Sequence, residues 1–351
     1  MSETKYRYGI IGTGIPWREE GSSGFGMANA HYPNMMKNGR AELVAISELL
    51  DARAERFQAT HGTDVPNYHS YTEMLAEESL DIVSICTWPH LHAEMTIAAA
   101  NAGVKAIYCE KPMAISWGDC KKMKAAADEN GVILCFNHQR RHIKLFQEVR
   151  RAVQDGEIGD LVQIEAECGN MYDWGTHWLD MMFFYNNDDP AEWVIGQINS
   201  QTENKIFGAI MEDQAVLNFK WRNGVRGYMA TGDLAKIGAV HRLIGKEGVI
   251  EVLNERSYRI LGKGIGEWKH IEVPQGDWSD LALAANDVVR ALDEPGYKPL
   301  ISADNAIQST EVIFATYRSS QIHGRVDLPL AYEGNGYLDL VNAGVIGPDT
   351  K

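Results

Sequence analysis

Apolar runs and helical patterns alternate over the first 136 residues, and this alternation limits the fold more than any other feature of the chain. Residues 6–11, 42–47, 81–86, 104–108 and 132–136 read as strands. Helical patterns at 27–38, 51–61, 92–102 and 117–130 fall between them, the last stopped by Gly131. Strands separated by helices of this length predict a parallel, doubly wound α/β sheet. After a basic amphipathic pattern at 142–154 the texture changes. Strand-like runs follow at 161–168, 192–200, 214–221, 226–231, 241–244, 248–252, 257–261 and 270–273, several joined by short turns such as Arg222-Asn223-Gly224. Successive hairpins predict a largely antiparallel second sheet. Helices return at 279–293 and 302–323, and the tail beyond Leu330 reads as irregular. A chain of 351 residues exceeds one ordinary core, so two domains are expected, residues 1–136 and residues 137–351.

Charge narrows the partners. A net charge of -15 excludes a nucleic-acid partner, whose phosphates would be repelled. The local basic cluster Arg140, Arg141, Lys144, Arg150 and Arg151 reads as a solvated helix face. The five cysteines form no C-x-x-C pair, as expected of free thiols in a reducing cytoplasm. No signal-like segment opens the chain, and no apolar run approaches the ~18 residues that a bilayer span needs. The expectation is a soluble cytoplasmic protein with no membrane partner.

Gly12-Thr13-Gly14 follows the first strand, where glycines let a backbone approach a pyrophosphate that the next helix N-terminus faces. Glu48 ends the second strand. A carboxylate there binds the ribose hydroxyls of NAD and repels the 2′-phosphate of NADP, and no Arg or Lys adjoins it in sequence, so NAD is favoured. The fingerprint is irregular. Its third small residue is best assigned to Ala28, because residues 15–26 form a glycine-flanked insertion placed to fold over the cofactor or toward the substrate mouth. Downstream, Lys111 follows a strand end in Glu110-Lys111-Pro112, and His177 lies in the stretch Asp173 to Asp180. An ammonium and an imidazole at one point can bind an alcohol oxygen and take its proton, which lets the carbinol carbon release hydride.

In combination these residues resemble the glucose-fructose oxidoreductase and inositol dehydrogenase family, Gfo/Idh/MocA. The resemblance is carried by Gly12-Thr13-Gly14, Ala28 to His31, Thr87-Trp88-Pro89-His90-Leu91-His92, Glu110-Lys111-Pro112, Gly156-Glu157-Ile158-Gly159 and Asp173 to Asp180. It implies an N-terminal Rossmann domain and a C-terminal α/β domain with an open, mostly antiparallel sheet. That domain would bind substrate, and the outer face of its sheet would pair with a second subunit, giving a homodimer or homotetramer. It further implies that Lys111 holds the reacting hydroxyl and that His177 is the general base. Asp173 would orient His177 or bind a neighbouring hydroxyl. Lys111-Pro112 would be cis, Glu110 would lie against the cofactor, and Thr87, Pro89 and His92 would form its surroundings. Asn137 and Arg141 or His138 occupy a place that borders substrate or serves structure, and Trp174 could stack on a sugar face. Only thirteen residues separate Gly159 from Asp173, a trimming that removes one wall of the usual pocket and leaves the substrate open.

The expected activity is NAD(P)-dependent oxidation of a secondary hydroxyl on a sugar, polyol or glycoside. Two alternatives remain: redox-neutral glycoside cleavage on a tightly held NAD, which would use the same residues, and a non-catalytic NAD and sugar sensor, which would have little need of Lys111, Asp173 and His177. His90-x-His92 and His138-x-x-x-His142 lack a third ligand at a confirming interval, so no metal is expected.

Overall fold

The computed structural model describes residues 5–206, 208–264 and 266–347. The first half runs β1 (Tyr6–Ile11), α1 (Ala28–Met36), β2 (Ala41–Ser47), α2 (Asp51–His61), β3 (Asn67–Tyr68), α3 (Tyr71–Glu77), β4 (Ile82–Ile85), α4 (Pro89–Asn101), β5 (Ala106–Cys109), α5 (Trp117–Glu129) and β6 (Ile133–Phe136). The six strands pair in parallel in the order β3-β2-β1-β4-β5-β6. Both faces of this sheet are covered, so β4 and β5 are buried at every position, as their unbroken apolar runs require. Local chemistry sets the helix ends. Ser116 caps α5 by accepting from the Asp119 amide at 3.2 Å, a contact worth about 1 kcal/mol. α4 begins three residues before its sequence pattern suggests, because Pro89 suits a first helical position.

A 3₁₀ turn at Gln139–His142 leads into α6 (Lys144–Gln154), so the basic helix starts later than its pattern predicts. There follow β7 (Leu161–Cys168), α7 (Trp174–Tyr185), β8 (Ala191–Asn199), β9 (Asn204–Ile206), β10 (Ala209–Met211), β11 (Gln214–Trp221), β12 (Arg226–Thr231), β13 (His241–Gly245), β14 (Val249–Val252), β15 (Ser257–Leu261) and β16 (Lys269–Glu272). The chain ends in α8 (Asp280–Asp293), α9 (Ala303–Ile322), β17 (Val326–Asp327) and α10 (Gly336–Asn342). The tail is therefore not wholly irregular: Asn335 accepts from the Tyr337 and Leu338 amides and starts a helix.

Nine strands form the second sheet in the order β16-β15-β14-β13-β7-β12-β11-β8-β17. All neighbours are antiparallel except β7 and β12. One face buries α7 and α9. Small residues let α9 approach β8 so closely that a Cβ on Gly196 would lie 2.6 Å from Thr316 Cγ2. α8 turns back to the first sheet, where Ala284, Ala285, Val288 and Val289 share one buried cluster with Ile10, Ala28, Met35 and Leu43. This return fixes the two sheets against one cleft. Among the described residues no helix is long and apolar enough to cross a membrane.

Candidate active site

The carboxyl ends of β1, β2, β4 and β5 open into a cleft of about 660 Å³, closed on its other side by the 3₁₀ turn and the start of α7. In a doubly wound sheet this is the switch point at which dinucleotides bind. Gly12 and Gly14 have φ of +83° and +58°, conformations that side-chain-bearing residues rarely adopt. A Cβ on Gly12 would also meet Thr87 Cγ2 at 2.8 Å. The Glu48 carboxylate is drawn onto this turn and accepts from the Thr13 amide (3.1 Å), the Thr13 hydroxyl (3.0 Å) and the Gly14 amide (3.2 Å). Thr13 is fully buried and serves as an anchor for Glu48 rather than as cleft wall. Ala28 opens α1 and is also fully buried. No side chain caps α1, though the Asn29 and Ala30 amides already donate to the carbonyls of Gly26 and Met27 at 3.0 and 2.9 Å. Positive-φ glycines and a strand-end carboxylate fit an NAD.

The insertion at 15–26 lies at the Glu48 end of the cleft, with Ile15, Ser23, Gly24, Phe25 and Gly26 in its wall. It is closed by the Trp17 amide donating to Phe25 O at 3.3 Å and by rings 5.2 Å apart. Arg56 on α2 pairs with Glu19 and donates to Glu20 O, while Arg53 donates to Ser23 Oγ at 3.3 Å. Arg53 lines the same cleft as Glu48, so the fold brings up an arginine that sequence adjacency does not show.

The Lys111-Pro112 peptide is cis. Lys111 Nζ donates to Asp173 Oδ1 at 2.6 Å, and both side chains are largely buried. Asp173 therefore steadies Lys111 and not His177, as one reading of the sequence had it. Asn170 Oδ1 accepts from the Asp173 and Trp174 amides at 2.8 and 3.0 Å, fixing the start of α7. His177 lies one turn along α7 in the cleft wall, its Nδ1 buried and without a partner. Burial, then the charges of Arg140 and Lys111 and His138, push its pKa well below the usual histidine value. Its imidazole is therefore uncharged at pH 7.

Glu110 lines the cleft beside Lys111. Its carboxylate meets His31 Nε2 at 2.9 Å and accepts from Asn137 Nδ2 at 2.7 Å. Burial opposes ionisation, but these bonds, with the charges of His31 and Lys111, hold its pKa below the ordinary glutamate value. Asn137 also accepts from Tyr108 at 2.6 Å, so its carbonyl is held in the wall while Nδ2 keeps one N–H beyond the bond to Glu110. His92 is fully buried, its ring nitrogens 2.9 and 3.1 Å from the carbonyls of Pro112 and Thr87, and it does not line the cleft. It ties the two cleft loops together from behind, whereas Thr87 and Pro89 do line the cleft.

Arg141 is likewise a core residue. Its guanidinium donates to Asp180 at 2.8 and 2.8 Å and to Asp188 at 2.8 Å, and Asp180 is held down at a pKa of about 2 against burial by Arg141 and His138. Arg140, which the sequence reading gave to a solvated face, lines the cleft instead, over Trp178 and Trp174 with its carbon Cζ 4.8 and 5.5 Å from their centroids. Trp174 is partly exposed in the same wall. Among the described residues, no group of three or more His, Cys, Asp or Glu is placed to hold a metal.

Comparison with known proteins agrees with this architecture. Residues 6–138 match the model of an oxidoreductase family with an NAD-binding Rossmann fold, and residues 161–328 match that family's C-terminal alpha/beta domain. An inositol 2-dehydrogenase of Salmonella paratyphi B is 24% identical over 184 residues, 48% of this chain and about half (54%) of the relative's length. A myo-inositol 2-dehydrogenase of Thermotoga maritima is 25% identical over 73% of this chain and 77% of its own. Among solved structures, the WlbA dehydrogenase of Bordetella pertussis in complex with NADH and UDP-GlcNAcA superposes with a TM-score of 0.73 at 25% identity, covering 93% of this chain and 99% of that one. With both halves matched in order, the chain belongs to the Gfo/Idh/MocA family of NAD-binding oxidoreductases.

Proposed function

We propose that the protein oxidises a secondary hydroxyl of a sugar, polyol or glycoside with NAD as hydride acceptor. One observation carries this reading. Lys111, steadied by Asp173, and the unpartnered base His177 share a cleft whose other end carries the glycine turn and Glu48. Bound NAD supplies the carbon that accepts hydride. The Lys111 ammonium donates to the substrate oxygen and stabilises the negative charge that develops there. His177, neutral because burial and nearby cations disfavour its protonation, takes the hydroxyl proton. As the proton leaves, electron density on oxygen closes the carbonyl and expels hydride from carbon. His177 would account for about 10²–10⁴-fold of the rate. Glu48 at the end of β2 favours a free 2′-hydroxyl over a 2′-phosphate and hence NAD over NADP. The inositol 2-dehydrogenases among the relatives carry names of the same substrate class.

The test is NADH absorbance on mixing protein and NAD with a panel of inositols, hexoses and glycosides, with NADP in parallel. A rise with NAD and one panel member supports the reading and names the substrate. Bound cofactor with no rise across the panel rejects it, in favour of redox-neutral cleavage if a glycoside is consumed.

A further inference from the structure

We infer that Arg140 is a carboxylate seat, so that the sugar or polyol taken by this cleft carries an acid group besides the hydroxyl that reacts. The inference rests on the dehydrogenase reading for the reaction but not for the binding.

The two neighbouring arginines make the case. Arg141 has two carboxylates, Asp180 and Asp188, on its guanidinium and no cleft exposure. Arg140 is 9% exposed and lines the cleft, yet among the described residues its guanidinium donates only through Nε, to Glu255 Oε1 at 3.1 Å. The Glu255 side chain is 44% exposed, so water weakens that pair. A guanidinium carries five N–H donors, and four of these have no acceptor among the described residues. Trp178 and Trp174 lie against its face, which leaves its edge for an acceptor in the cleft. Burial outweighs the attraction of Glu255, Asp280 and Asp173 and lowers the Arg140 pKa, so the cation is under-compensated where it stands.

A carboxylate answers this vacancy better than a hydroxyl does. It accepts two parallel N–H bonds and supplies the missing charge. Arg140 and His177 line the same cleft, so one small molecule can carry both the acid group and the reacting hydroxyl. Trp174, partly exposed beside Arg140, offers an apolar face for the ring between them.

The test compares matched pairs, D-glucuronate with D-glucose and D-galacturonate with D-galactose. Calorimetric binding to the NADH-loaded protein and NADH formation from the NAD-loaded protein are both measured. The acid of at least one pair should bind about tenfold or more tighter than its neutral partner, as a charge-assisted bidentate contact implies. That ratio should fall about tenfold in Arg140→Gln and recover in part in Arg140→Lys. Glu255→Gln removes the competing carboxylate from a half-exposed site and should tighten acid binding severalfold, an independent check should Arg140→Gln not fold. Acids that bind through Arg140 without forming NADH uphold the seat and reject the dehydrogenase reading. NADH formed with equal or greater efficiency from the neutral sugars, or a preference unmoved by Arg140→Gln, overturns the seat and leaves that reading intact. Failure of every acid to bind also overturns it.

Discussion

The two walls of the cleft are built on opposite rules. On the Rossmann side the polar groups answer one another. Glu110 is held by His31 and Asn137, Asn137 by Tyr108, His31 by Ser84 and Ser84 by Tyr8, in contacts of 2.6–3.1 Å. Glu48 is satisfied by the glycine turn. On the α7 side, His177 Nδ1 has no partner and Arg140 donates through a single nitrogen. A wall that satisfies itself is rigid before the cofactor arrives, and its groups do not need a ligand to be stable. A wall with open donors and an unpartnered base keeps its polar groups for a substrate, at a cost in stability that the surrounding fold carries.

The comparison breaks first at Lys111. Lys111→Ala should lower turnover by about 10³-fold or more and leave NADH binding, read by fluorescence titration, close to wild type. Asp173 would be left buried and unpaired, so a fall in stability of about 3–5 kcal/mol should accompany it. Turnover within about tenfold of wild type would remove Lys111 from the reaction.

His177→Asn should cost about 10²–10⁴-fold in kcat with NADH affinity retained. The pH profile sharpens the point. The base must be neutral to act, and its pKa lies well below the ordinary histidine value of about 6.5. The activity should therefore be flat from pH 8 to about 6.5 and fall only as acid protonates His177 below that point. Removing a cation that depresses this pKa, as in Arg140→Gln, should move the acid limb upward. A wild-type limb above about 6.5 would contradict the placement of His177.

Sequence and fold part company at identifiable places. Tyr6–Ile11, Asp51–His61, Leu161–Cys168, Gln214–Trp221 and Ser257–Leu261 were legible to the residue, because turn and cap residues bound each run. β3 and α3, of two and seven residues, are too short to show a period. Lys111, Asp173 and His177 were legible because each sits in a compact motif. The choice between Arg140 and Arg141 was not. They are adjacent on a four-residue 3₁₀ turn, and only the fold decides which side chain enters the cleft. The clamp of His31 and Asn137 on Glu110 joins positions 79 and 27 residues apart, a relation that no local pattern carries.

The Rossmann wall can be tested at His31, which bonds Glu110 but, among the described contacts, neither Lys111, Asp173 nor His177. His31→Leu removes one bond to a buried carboxylate and should cost about 1–3 kcal/mol of stability. If that wall is a cofactor platform, KM for NAD should rise while the acid limb set by His177 stays in place. Movement of the limb without a change in KM would mean that the two walls are not independent.

The smallest effect is expected at the insertion. Arg56 and Glu19 are both substantially exposed, so Arg56→Ala should change stability by less than about 1 kcal/mol. Arg56 nevertheless helps hold residues 15–26 on α2, where Ile15 and Phe25 line the Glu48 end of the cleft. If the insertion shields the cofactor, the variant should release NADH several times faster in stopped-flow fluorescence, with kcat/KM for the substrate and the acid limb unchanged. An unchanged release rate would assign the insertion to some other task and leave Glu48 and the glycine turn to hold that end of the cofactor without it. The asymmetry between the walls would survive that result, because it depends on partners inside the fold and not on the strap laid over its edge.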